Sequence, residues 1–297
     1  MIARKTYHIP IAGRPPLELG RRTLVMGILN VTPDSFADAV HVTDPGSAVD
    51  AALRMEAAGA DLIDVGAEST RPGAMPVSVD EELRRVIPVV ERLSRRLDVP
   101  ISVDTTKARV AADAVAAGAA IVNDVRGLRD DAALAEAIAS TSAALVLMHS
   151  RGTPETMARQ ATYDDVVADV ASELREAMRR AARAGVAFGR IIVDPGVGFA
   201  KRPSHSYGVL ARLPELAAAL DRPVLVGPSR KSFMARALGD AAPPERDWGT
   251  AAAVTAAVLA GAHIVRVHAV KEMVHVVRVA DEIRKAATND QGPRTTD

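Results

Sequence analysis

Two textures alternate along the chain. Short aliphatic runs stand at "TLVMGIL" (23–29), "DLIDVG" (61–66), "PISV" (100–103), "AAIV" (119–122), "AALVLM" (143–148), "RIIV" (190–193), "PVLVG" (223–227) and "HIVRV" (263–267). They are rich in Val, Ile or Leu and too short for helices, so they predict strands. Between them lie Ala- and Leu-rich stretches with apolar positions at helical spacing, which predict helices near 45–58, 80–96, 107–117, 130–139, 162–184, 205–218, 246–260 and 270–286. In "DPGSAVDAALRMEAAGA" (44–60), Asp44 can cap, Pro45 suits the first turn and Gly59 suits the stop.

The order strand–helix repeats eight times. Strands joined by crossover helices form a parallel sheet, and near-continuous apolar strands mean that both sheet faces are covered. Eight units of regular spacing predict an α/β fold, a closed (β/α)8 TIM barrel in one domain over 23–286. A doubly wound open sheet is the alternative. Residues 1–22 form an N-terminal extension, expected as a hairpin across the barrel bottom. Residues 287–297 read as a flexible tail.

In such a barrel the site lies at the C-terminal ends of the strands. Here those ends carry Asn30, "GAESTRPGA" (66–74), Asp104, Asn123-Asp124, Met148-His149, "DPGVGF" (194–199), "GPSRKS" (227–232) and Arg266 to His268. Taken singly, each has a plainer reading. Asp104 and Asp194 could cap helices, "DPG" could be a turn, Arg230 and Lys231 surface charge, and His268 structural. His8, His205, His263 and His275 read as structural or surface residues. Those readings leave the joint pattern unexplained. Carboxylates and amides beside one another can read the N–H and C=O edges of a flat ring. An Arg can stack on that ring and still bond a phosphate. Asn30 offers the oxygen donor that a hard cation such as Mg2+ takes.

Composition narrows the picture. Formal net charge is zero and aromatics are 3% of 297 residues, which argues against a nucleic-acid partner. No segment approaches a membrane span and the N-terminus lacks a signal-peptide core, so no membrane role is expected. There is no cysteine, which excludes disulfides and thiolate chemistry and fits a cytoplasmic setting.

The motifs "MGILNVTPDSF", "DVGAESTRPGA", "ISVDTTK", "NDV", "LMHSRGTPETM", "DPGVGF", "SRKS" and "RVH" come in order and at even spacing over about residues 22–285. As a set they resemble the dihydropteroate synthase family, folate-pathway transferases that sulfonamides inhibit. The resemblance implies a single-domain barrel, usually a homodimer. Its implied reaction joins 6-hydroxymethyl-7,8-dihydropterin pyrophosphate to p-aminobenzoate and releases pyrophosphate dissociatively.

By the same resemblance, Asp104, Asn123, Asp194 and Lys231 hydrogen-bond the pterin, Arg266 stacks on it, and Val125 and Met148 line the pocket. Asn30, Thr70, Arg266 and His268 hold the pyrophosphate, with Mg2+ on Asn30. Phe36, Thr70, Arg71, Pro72, Phe199, Lys231 and Ser232 receive p-aminobenzoate. Asp34, Phe36, Asp38, Thr70, Arg71 and Pro72 match family positions in two closing loops. The implied catalytic set is Asp104, Lys231, Arg266, His268, Asp38 and Arg71.

Some positions depart from the family pattern. Ala37 stands for Ser, Ala39-Val40 for two glycines, Ala67 for Gly and Ala269 for Asp. "GFAKRP" stands where Gly-Lys usually follows Phe. Two other readings share the pterin pocket: a pterin-dependent methyltransferase domain, and a non-catalytic pterin-binding paralogue, which the altered first loop motivates.

Overall fold

All eight aliphatic runs become strands of one parallel sheet in the computed structural model, which describes residues 4–32, 44–68, 75–129 and 131–289. These are β3 (Leu24–Asn30), β4 (Leu62–Gly66), β5 (Ile101–Asp104), β6 (Ile121–Asp124), β7 (Ala144–Met148), β8 (Ile191–Asp194), β9 (Leu225–Val226) and β10 (Ile264–Val267). Their spatial order is β8-β7-β6-β5-β4-β3-β10-β9. A parallel bridge between Val193 and Val224 joins the two ends and closes the barrel.

Strand alternation sorts the side chains between two cores. Val25, Leu29, Val65, Val103 and Val265 face outward and pack on the helices. Leu24, Met26, Leu62, Ile121 and Ile264 face inward at the lower end. Register partners in parallel strands share a face, so Asn30, Gly66, Asp104 and Asn123 form one inward row at the C-terminal ends. Ile28, Asp64, Ser102 and Ile121 form the row beneath it.

The N-terminal segment forms an antiparallel hairpin of β1 (Tyr7–Ile9) and β2 (Leu17–Leu19). Its Ile9, Ile11 and Leu19 pack into the lower interior against Leu24, Met26 and Leu62. Leu19 is fully buried, and truncating such a residue to Ala costs about 2–5 kcal/mol. The hairpin seals the bottom, so the open end of the barrel is the one bearing the polar strand termini.

Helices follow the strands: α1 (Pro45–Ala57), α2 (Val79–Leu93), α3 (Ala108–Ala116), α4 (Ala132–Ala139), α5 (Val166–Arg183), α6 (Pro203–Ala211), α7 (Leu213–Leu220), α8 (Ala235–Leu238), α9 (Asp247–Leu259) and α10 (Val270–Asn289). Of these, α1, α2, α4 and α5 open on a side-chain cap. Asp44 caps α1 through the amides of Gly46 and Ser47, and Gly59 follows its end at φ +100°. Asp165 caps α5 through Val167 and Ala168, which delays its start beyond the expected residue 162.

The single helix expected over 205–218 is two. Arg212 leaves helical geometry (φ −109°, ψ 23°) and Pro214 restarts the chain in the first turn of α7, where its missing N–H costs nothing. The short α8 was not expected. No helix among the described residues is long and apolar enough to cross a membrane.

Candidate active site

Three carboxyl or amide side chains and one guanidinium meet inside the mouth. Arg266 projects inward from β10. Its Nε donates to Asp64 Oδ2 at 2.6 Å and its Nη2 to Asp104 Oδ2 at 2.9 Å. Asp64 Oδ2 also accepts from Asn123 Nδ2 at 3.0 Å. Two carboxylates therefore face one cation. Burial drives the Asp104 carboxyl up to about 7, with Arg266 opposing the rise and the neighbouring Asp64 adding to it. Gly66 leaves the room this needs, since a Cβ there would stand 3.3 Å from Asp104 Cβ.

The second half of the mouth is built on the turn after β8. Asp194 is register partner to Met148, and its Oδ1 accepts from the Gly196 amide at 2.7 Å. Gly196 has φ +64°, and a Cβ there would stand 1.9 Å from the His149 carbonyl oxygen, so only glycine fits. The chain thereby turns back and lays Gly198 and Phe199 against Lys231. Lys231 Nζ donates to the Val197 carbonyl at 2.6 Å and stands 4.4 Å from the Phe199 ring centre. Burial lowers the Lys231 ammonium to about 8, although Asp194 and Asp104 favour its charge. Burial likewise raises Asp194, against the pull of Lys231. Met148, the register partner of Asp194, and Val125 are both buried.

On the far rim, His268 Nδ1 and Ser229 Oγ are 2.9 Å apart, and the His268 amide also reaches that hydroxyl at 3.2 Å. Ser232 is exposed in a single helical turn after Lys231. Asn30 is half-buried as the last residue of β3. Asp34, Phe36, Asp38, Thr70, Arg71 and Pro72 lie outside the described residues, as do Ala37, Ala39 and Val40. Neither Asp104 nor Asp194 caps a helix.

Two groups were missed by the sequence reading. Asp64 sits within "DLIDVG", which reads simply as an apolar strand. The available signal was a carboxylate two positions before Gly66, on the inward face. The other is Lys201, which is buried with its Nζ 2.8 Å from His149 Nδ1 and 3.2 Å from the Phe199 carbonyl. His149 Nε2 lies 3.3 Å from Glu173, which Arg129 and Arg151 also pair. Burial, with Lys201 close by, lowers His149 to about 3, so it is neutral and its Nδ1 is free to accept. Burial also lowers Lys201 far below its ordinary value. This chain of contacts holds the Phe199 turn from behind.

The arrangement suits a flat polar heterocycle. Acceptors at Asp104 and Asp194 and a donor at Lys231 surround its edge, with the guanidinium plane of Arg266 among them. Among the described residues, no group of three or more His, Asp or Glu side chains is placed to hold a metal ion. An ion here would be carried by substrate oxygens and water, and Asn30 at the rim suits it as a single hard donor.

The model of the family described as pterin binding enzyme matches residues 26–268. The dihydropteroate synthase of Escherichia coli K12 is 48% identical over 265 residues, covering 89% of this chain and 93% of that one. The chain belongs to the dihydropteroate synthase family. Among solved structures, the Yersinia pestis dihydropteroate synthase with a sulfonamide drug complex superposes with a TM-score of 0.88 at 44% identity. It covers 94% of this chain and 99% of that one. The Burkholderia cenocepacia dihydropteroate synthase complexed with 7,8-dihydropteroate gives 0.84 at 42%, covering 96% and 99%.

Measured against the dihydropteroate synthase pattern, the departures within the described residues are absorbed in different ways. Ala67 is fully buried among the helices, where its methyl packs. Ala200 replaces the usual glycine at φ +45°, a left-handed position that costs a Cβ-bearing residue about 1–2 kcal/mol. Tyr163 donates to its carbonyl at 2.8 Å and so helps hold the turn.

Proposed function

We infer that this chain catalyses the dihydropteroate synthase reaction: it condenses 6-hydroxymethyl-7,8-dihydropterin pyrophosphate with p-aminobenzoate and releases pyrophosphate, in folate biosynthesis. The observation that carries the reading is the mouth itself, where Asp64, Asp104, Asn123 and Arg266 are hydrogen-bonded into one cluster beside Asp194 and Lys231.

We assign the pterin to Asp104, Asn123, Asp194 and Lys231, with Arg266 against its face and Met148 and Val125 beneath. The anionic Asp104 favours positive charge that develops on the pterin as the C–O bond to pyrophosphate breaks. Asn30, Arg266 and His268, with Thr70 from the second loop, hold the departing pyrophosphate. His268 is oriented for this by Ser229. Asn30 would hold Mg2+, which when bound neutralises pyrophosphate charge. The amine of p-aminobenzoate then attacks the methylene carbon. Phe199, Lys231 and Ser232 receive its ring and carboxylate, with Phe36, Thr70, Arg71 and Pro72 from the loops. Asp38 and Arg71 complete the catalytic set by excluding water from the cation.

We also propose a homodimer in the cytoplasm, open to sulfonamides as competitors of p-aminobenzoate. Trp248 is 87% exposed and Leu238, beside Gly249, is 43% exposed, an apolar face that a second copy would cover. Titrating pterin pyrophosphate and Mg2+ into the protein without p-aminobenzoate tests the pocket. Binding is expected, and heat-silent titration with no change in melting temperature would refute the assignment.

A further inference from the structure

We infer that Asp64 is a positioning residue for the pterin pocket, one whose carboxylate fixes both the plane of the Arg266 guanidinium and the facing of the Asn123 amide. The inference rests on the pterin reading given above and adds to it the residue that sets what the pocket can recognise.

Asp64 is fully buried one row below the mouth, in register with Ile28 on one side and Ser102 on the other. A carboxylate among such neighbours has no solvent to compensate it and persists only if paired. Both its hydrogen-bond partners are groups assigned to the ligand: Arg266 Nε at 2.6 Å and Asn123 Nδ2 at 3.0 Å, on the same oxygen.

Each contact removes a freedom. Arg266 arrives from β10 and spans β3 to reach carboxylates on β4 and β5. A guanidinium held through Nε by Asp64 and through Nη2 by Asp104 cannot rotate about its stem without breaking one of two charge-assisted bonds. Its plane is set before any ring arrives. Asn123 could in principle face the ligand with either oxygen or nitrogen. An ionised carboxylate only accepts, so the amide nitrogen must turn toward Asp64 and the amide oxygen away from it. The group Asn123 turns away from Asp64 is thereby its amide oxygen, an acceptor, with one N–H already spent on Asp64. A ring edge that brings an N–H to that oxygen is favoured, and an analogue with an acceptor at that place would set it against the amide oxygen.

The test is Asp64→Asn, which keeps the shape and removes the obligate acceptor. Affinity for pterin pyrophosphate should fall about ten- to hundredfold, the scale of one charge-assisted hydrogen bond. The KM for p-aminobenzoate should stay within about twofold, a split that general loosening of the barrel would not give. In the unmodified protein the Arg266 Nε proton should exchange slowly by NMR, and in the variant it should exchange rapidly. Unchanged pterin affinity in a folded variant, or equal losses for both substrates, overturns the inference. If Asp64→Asn does not fold, Asp64→Ser is measured in its place. If neither folds, the Arg266 Nε proton of the unmodified protein decides, with rapid exchange overturning the inference and protection upholding it. Failure of the unmodified protein to bind pterin pyrophosphate at all would instead overturn the functional reading on which this rests.

Discussion

The barrel carries a buried arginine–aspartate cluster at each end, and the two are balanced in opposite ways. At the bottom, Asp281 accepts from the Thr23 amide at 2.5 Å, the Thr23 hydroxyl at 3.1 Å and Arg4 at 3.2 Å, with Arg284 Nε 3.5 Å away. One carboxylate serves two cations there, and burial lowers Arg4 to about 10. At the mouth one cation, Arg266, serves two carboxylates, and Asp104 is pushed up to about 7. The bottom cluster satisfies its acid completely and ties the N-terminal segment to α10. The mouth keeps acid in surplus, which suits a ligand that becomes positive. The same residue types thus seal one end and stay poised at the other.

That contrast can be broken by substitution. Lys231→Ala should have the largest effect, lowering turnover on the order of 10³-fold, because in the proposed assignment the pterin and p-aminobenzoate sites share this ammonium. A steady-state assay showing near-normal rates would sink the site assignment. Next comes a matched pair. Asp104→Asn should cut kcat/KM about 10²-fold while leaving denaturation midpoints unchanged or slightly raised. Asp281→Asn should cost roughly 3 kcal/mol of stability while sparing kcat. The comparison fails if the two variants lose activity and stability in the same proportion.

The pH profile sharpens the same point. Asp104 must be ionised and Lys231 protonated, so kcat/KM for the pterin substrate should rise through about 7 and fall above about 8. The acidic limb should vanish in Asp104→Asn. Stability should run the other way. The folded pKa of Asp104 lies above its unfolded value near ~4. The folded state therefore binds the extra proton, and this group's contribution falls as pH rises from about 4 to about 7. Smallest of all, Ala200→Gly should relieve the left-handed strain and stabilise the protein by up to about 1 kcal/mol, seen as a higher melting temperature with kcat unchanged.

Much of this was legible before the structure. Eight aliphatic runs gave eight strands because strands buried on both faces leave an unmistakable hydrophobic signature. The polar residues that end them converge because parallel strands all deliver their C-termini to one mouth. The misses have physical causes. Asp64 hides inside a strand, and its meaning depends on Arg266, some 200 residues away and visible only when the barrel closes. Nothing in "GFAKRP" marks Lys201 out, and only the Gly196 turn brings it onto His149. Arg266 was expected to face a ring, and its two carboxylate partners come from strands that sequence spacing alone cannot pair with it. Pro214 splits a helix whose apolar period runs on unbroken. The loops carrying Asp38 and Arg71 lie outside the described residues, so their part rests on the motif.

The most direct measurement is pyrophosphate release by the purified protein given pterin pyrophosphate and Mg2+, with and without p-aminobenzoate. The account predicts release that depends on p-aminobenzoate and yields dihydropteroate in equal amount. Tight pterin binding with no such turnover would contradict it and leave a barrel that keeps its pocket without its chemistry.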